Sequence, residues 1–151
     1  MSLNKKIDGD LIKALKGGDK DKVTLLRGLK SDIKYKRIEK GDDLTDEEII
    51  AVLSTAAKQR RDSIEQFTNG NRMDLADKES AELEVIKGYL PEQLSEEKLI
   101  ELVRESIEAT GADSPAKLGL VMKDLMPKVK GKADGKLINQ LVSRMLSGEK
   151  D

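Results

Sequence analysis

Two places in this chain carry cations or carboxylates at a spacing that could do chemistry. Near the C-terminus Lys128, Lys130 and Lys132 occupy every second position, Gly131 and Gly135 lie in or beside the same stretch, and Lys136 follows. A basic, glycine-containing loop that feeds a helix can hold an anion, because free backbone N–H groups and the helix dipole both favour negative charge there. Lys123 and Arg144 flank the stretch and extend the candidate set. Two readings stand together. In one, the glycines make tight turns and the lysines are solvated surface. In the other, Lys123, Lys128, Lys130, Lys132, Lys136 and Arg144 track phosphates, which gives affinity with little base specificity. The run from Gly131 to Leu137, G-K-A-D-G-K-L, does not match a nucleotide-binding P-loop. Its glycine spacing is one residue short, no Ser or Thr follows Lys136, no strand precedes it, and Asp134 would oppose a phosphate.

The second place combines Arg60, Glu79 and Glu82. Arg60 and Glu79 each occupy a position on an apolar helical stripe, where an unpaired charge would cost several kcal/mol if buried. An interhelical ion pair between antiparallel helices, with Glu82 as a second acceptor, resolves both. The sharper alternative makes Glu79 and Glu82 an acid/base pair, but carboxylates do such work only where their environments separate their pKa values.

Composition removes most other chemistry. The 151 residues contain no cysteine and no histidine. Disulfides, thiol nucleophiles, most zinc sites and the usual general base of hydrolases are therefore excluded. No metal, nucleotide or other cofactor site is visible. Only three aromatic residues occur, Tyr35, Phe67 and Tyr89, too few for a base-stacking platform. The net charge of −1 is uneven: residues 1–114 sum to −5 and residues 115–151 to +4. A basic end on an acidic body suggests that one end meets an anionic partner. No apolar run is long enough to span a membrane, and the first residues lack a secretory leader, so the expectation is a cytoplasmic protein with no membrane partner.

The elements that must position these residues are helices throughout. Leu3, Ile7, Leu11 and Leu15 mark the first, stopped by Gly17-Gly18. Asp19 caps the second, with Val23, Leu26, Leu29 and Ile33 on one face, ending near Gly41. Thr45 and Glu48 form a capping box for the third, whose stripe is Ile49, Leu53, Ala56, Arg60, Ile64 and Phe67. The fourth carries Leu75, Glu79, Leu83, Ile86 and Leu90 and is closed by Pro91. Ser95 caps the fifth, through Leu99, Val103 and Ile107. Ser114-Pro115 opens the sixth, with Pro127 just past its end, and Asp134 caps the seventh. The expected fold is all-α: a four-helix N-terminal part over residues 1–92 and a three-helix module over residues 93–151, joined by the hinge L-P-E-Q-L-S from Leu90 to Ser95.

Four runs carry a family resemblance: R-R-D-S-I-E-Q-F from Arg60, R-M-D-L-A-D-K-E-S-A-E-L from Arg72, Y-L-P-E-Q-L from Tyr89, and L-V-M-K-D-L-M-P-K-V-K-G-K-A-D-G-K from Leu120 to Lys136. In this order they resemble the YqeY family over essentially the whole chain. That family is similar to the C-terminal tail of the GatB subunit of the tRNA-dependent amidotransferase. The resemblance implies an all-α protein of two helical parts. It also implies kinship with a tail that helps hold tRNA and lies apart from the catalytic centres. The family pattern often has Arg after the loop glycine; here Lys132 stands there, keeping the charge but not the planar fork.

The functional expectation is a non-catalytic accessory protein that binds tRNA or another structured RNA through its basic end. A helical adaptor that docks on a tRNA-modifying or translation enzyme is the alternative, with Met122, Met126 and Met145 as candidate contacts. A carbon–nitrogen ligase using glutamine as amido donor follows only from kinship. It would need a nucleophile and an ATP–Mg²⁺ site, and nothing in these residues resembles either.

Overall fold

The computed structural model describes residues 2–148. Among them the chain forms seven α-helices and no strand: α1 Leu3–Gly17, α2 Lys20–Lys40, α3 Asp46–Asn69, α4 Met73–Lys87, α5 Glu96–Thr110, α6 Leu118–Val129 and α7 Gly135–Leu146. The fold is all-α, four helices followed by three.

Side chains at the helix ends explain where the elements begin. Each helix start leaves N–H groups without intrahelical acceptors, and a short polar side chain supplies one. Ser2 Oγ accepts from Lys5 N, Asp19 Oδ1 from Lys22 N, and Ser95 Oγ from Lys98 N. Thr45 and Glu48 do this reciprocally: Glu48 N donates to Thr45 Oγ1 at 3.2 Å and Thr45 N donates to Glu48 Oε1 at 3.0 Å. Gly18, with φ of 72°, ends α1 in the left-handed region that side chains avoid.

The chain divides into two compact units, Met1–Leu90 and Pro91–Asp151, each with its own core. In the first, α3 and α4 pack closely as a hairpin across the turn at residues 70–72. Ile7, Leu26, Leu29, Leu53 and Ile86 are fully buried there. Tyr89 closes this core, donating its hydroxyl to Asp10 Oδ2 at 2.6 Å. In the second unit, Leu99 and Val103 of α5 meet Val121, Leu125 and Val129 of α6 and Ile138, Leu141 and Val142 of α7.

The structure departs from the sequence expectation at four places. Leu15 is half exposed, and Ala14 is buried in its place. A strict four-residue step overshoots the 3.6-residue turn, so an apolar stripe must alternate threes and fours. Helix α6 opens one turn later than expected, because Pro115–Lys117 forms a 3₁₀ turn first. It also runs through Pro127 rather than stopping before it. Proline removes one backbone donor there, but Val129 is fully buried and Lys130 N still reaches Met126 O at 2.9 Å, so packing holds the last turn. Finally, α4 ends at Lys87, ahead of Pro91. Gly88 N turns back to Glu84 O and Val85 O, and Tyr89 enters the core.

Candidate nucleic-acid interface

The basic stretch is built at the junction of α6 and α7. Lys128 belongs to the last turn of α6, not to a loop, and its Nζ lies 3.6 Å from Asp124 Oδ2 one turn earlier. That partner takes up part of its charge. Lys130 is the first residue after α6 and is exposed. Gly131 follows with φ of 77°, a left-handed conformation that reverses the chain. Lys132 is exposed, and its N–H donates to Val129 O at 2.8 Å. Asp134 then caps α7, its Oδ1 accepting from Lys136 N at 3.3 Å. Lys136 is exposed in the first turn of α7.

The junction therefore gathers Lys128, Lys130, Lys132 and Lys136 within a few residues of the α6 end and the α7 start. Lys130, Lys132 and Lys136 have no ion-pair partner among the described residues. The other two candidates lie further off. Lys123 precedes Lys128 by five positions, ~140° around the helix and ~7 Å back along it. Arg144 is half-buried in the last turn of α7, ~12 Å along that helix from Lys136.

The L-P-E-Q-L segment, expected as a hinge, is part of this site. Gln93 Nε2 donates to Pro91 O and to Gly131 O, both at 2.8 Å. Leu94 N donates to Lys132 O, also at 2.8 Å. Residues 91–94 thus brace the basic junction from behind within the second unit. Sequence periodicity could not show this, because a polar residue between a proline and a helix cap belongs to no stripe.

The first unit holds the other candidate cluster. Arg60 Nε lies 3.8 Å from Glu82 Oε2 and 4.0 Å from Glu79 Oε2. The three side chains are 22–25% exposed. Arg60 is thus less buried than its stripe position implies, and both contacts exceed hydrogen-bond length. Its guanidinium instead donates from Nη1 to Ala56 O at 3.5 Å. Burial pushes the Glu82 carboxyl up, the Glu79 carboxylate adds to this, and Arg60 opposes it. A cation centred on two carboxylates serves register better than proton transfer.

The three methionines named as adaptor contacts are partly buried against the core of the second unit, so they are packing residues.

The family model described as Yqey-like protein matches residues 4–146. The chain belongs to the YqeY family. Similar proteins are the altered inheritance of mitochondria protein 41, mitochondrial, of several fungi. The Lachancea thermotolerans protein is 37% identical over 127 residues, covering 82% of this chain and 66% of that protein. The Pyrenophora tritici-repentis protein is 26% identical over 147 residues, 95% of this chain and 81% of that one. The Saccharomyces cerevisiae protein is 38% identical over 85 residues, 56% of this chain and 46% of that one. The matched region is thus under two thirds of the length of some of these relatives.

Their names overturn the cytoplasmic expectation: the relatives that match this chain are named as mitochondrial proteins. Among the described residues no helix is long and apolar enough to cross a membrane.

Proposed function

We propose that this YqeY protein is a non-catalytic RNA-binding accessory protein that grips the phosphate backbone of tRNA or another structured RNA at its α6–α7 junction. One observation carries the reading. Lys130, Lys132 and Lys136 are exposed and have no salt-bridge partner among the described residues, around a turn held by backbone and side-chain hydrogen bonds. Asp124 is engaged with Lys128, and Asp134, the one acid between Lys128 and Lys136, caps α7 and offsets part of this charge without outweighing three lysines. Such a surface reads shape and phosphates rather than bases, which suits a duplex-rich RNA and a chain poor in aromatics. The resemblance to the tRNA-holding tail of the amidotransferase supports the same reading. Gel-shift titration of a purified tRNA pool tests it: the K130A/K132A/K136A variant should bind more weakly than the parent chain, and equal binding rejects the proposal.

A second reading has its own observation. Between α2 and α3 lies an open groove of about 800 Å³ lined by Tyr35, Leu44, Val52 and Ala56 and by the charged Asp32, Lys36, Glu39, Lys40 and Glu48. Tyr35 is 78% exposed. An exposed aromatic ring in a groove with mixed charges suits docking on a protein such as a tRNA-modifying or translation enzyme. Recovery of a protein partner after nuclease treatment, abolished by Tyr35→Ser, would favour the adaptor.

A further inference from the structure

The α6–α7 turn is anchored by Val129 and Ala133 in the second core and is also tied down at successive carbonyls. Gly131 O accepts from Gln93 Nε2 and Lys132 O accepts from Leu94 N, each at 2.8 Å. Gln93 spends its other side-chain N–H on Pro91 O. Both acceptors are carbonyl oxygens, so only the NH₂ end of the carboxamide can face them, which fixes its orientation. Gln93 itself is half-buried.

These bonds have two consequences. The carbonyls of Gly131 and Lys132 each accept a hydrogen bond, which lessens the repulsion their oxygens would offer an anion. The turn that carries Lys130 and Lys132 is also ordered in the folded chain, so its conformational entropy is lost on folding and not again on binding. We infer that Gln93 is a positioning residue for anion binding: it holds the Gly131 turn so that Lys130 and Lys132 meet phosphate from a fixed frame. This rests on the RNA-binding reading and deepens it by assigning a role to the L-P-E-Q-L segment. Gln93 touches the turn and not the lysine side chains, so its effect on RNA is indirect.

The experiment compares the parent chain with Gln93→Met, which keeps length but has no donor, with Gln93→Ala, and with K130A/K132A. Two quantities are read: hydrogen exchange at the Leu94 and Lys132 amides, and tRNA affinity as a function of salt. Loss of one hydrogen bond should speed exchange at those amides roughly fivefold. Both Gln93 variants should then bind tRNA several-fold more weakly with an unchanged salt slope, because the number of lysines that can reach phosphate stays the same. K130A/K132A should lower the slope itself. Unchanged exchange in both Gln93 variants overturns the brace. Faster exchange with unchanged tRNA affinity, while K130A/K132A weakens binding, overturns the positioning role but leaves the RNA reading standing. Parent-like binding by K130A/K132A removes the RNA reading and this inference with it.

Discussion

Arg60 of α3 and Glu82 of α4 face each other across the hairpin with 3.8 Å between Nε and Oε2. Glu79 sits 4.0 Å from the same nitrogen. The contact joins residues on either side of the turn at residues 70–72, the arrangement expected of antiparallel neighbours.

Removing the cation leaves two carboxylates near one another in a partly buried place. A fully buried pair would lose 3–5 kcal/mol on truncation. The three side chains are almost a quarter exposed and Arg60 Nε is beyond hydrogen-bond length from either carboxylate, so Arg60→Ala should cost about 1–2 kcal/mol at neutral pH. Urea denaturation measures it. The deficit should shrink as pH falls toward the carboxylate range, because protonation of Glu82 relieves the repulsion. A deficit independent of pH would show that impaired packing, not charge, is the cause.

Glu48 gives the opposite sign. Its hydrogen bond with Lys40 at 2.6 Å, then that with the Thr45 backbone, lower its pKa from 4.5 to about 2. A depressed carboxyl stabilises the fold above its unfolded value and loses that contribution as pH falls through the folded value. Parent melting temperature should therefore drop between pH 4.5 and 2 partly through this group. Glu48→Gln keeps a capping oxygen but cannot titrate, so its melting curve should be flatter over that window. Parallel curves for the two proteins would remove Glu48 from the acid transition.

Tyr89 titrates the other way. Burial, then the neighbouring Asp10 carboxylate, pushes its phenol well above the ordinary value of 10.0. A raised folded value means the contribution is complete below the unfolded pKa and is lost as pH rises toward the folded one. In a Tyr35→Phe background, where Tyr89 is the remaining tyrosine, ultraviolet titration should show no phenolate until the protein unfolds in alkali. A reversible transition near pH 10 in the folded state would contradict the buried Tyr89–Asp10 pairing. Tyr89→Phe should cost about 1 kcal/mol, since it leaves Asp10 without this donor.

Local rules made much of this fold readable. Thr45 with Glu48, and the caps Asp19, Ser95 and Asp134, announce helix starts because donor and acceptor lie within three residues of each other. Burial along α2 follows the same logic, since Val23, Leu26, Leu29 and Ile33 repeat at steps of three or four residues. Departures came where distant packing overruled a local signal. Pro127 reads as a stop, yet Val129 is held in the core beyond it. Met122 and Met145 stand at apolar stripe positions and do pack on the second core with Met126, so it is the adaptor alternative that loses these contacts. At the candidate site the lysines were visible as a pattern, and their environment was not. The Asp124 partner of Lys128 was present in sequence at helical spacing, whereas the bond from Gln93 to Gly131 spans 38 residues and no local rule reaches that far.

The lysines of the α6–α7 junction are proposed to bind phosphate, and both the RNA reading and the role of Gln93 depend on that. The most direct measurement is the slope of log affinity for a tRNA pool against log salt, for the parent chain and for K130A/K132A/K136A. Each lysine withdrawn from a phosphate should make the slope shallower by roughly 0.9 on duplex-like RNA. The expected result is weaker binding and a slope reduced by about 2 to 3 in the variant. Identical slopes and affinities, or no binding by either protein at low salt, would contradict it.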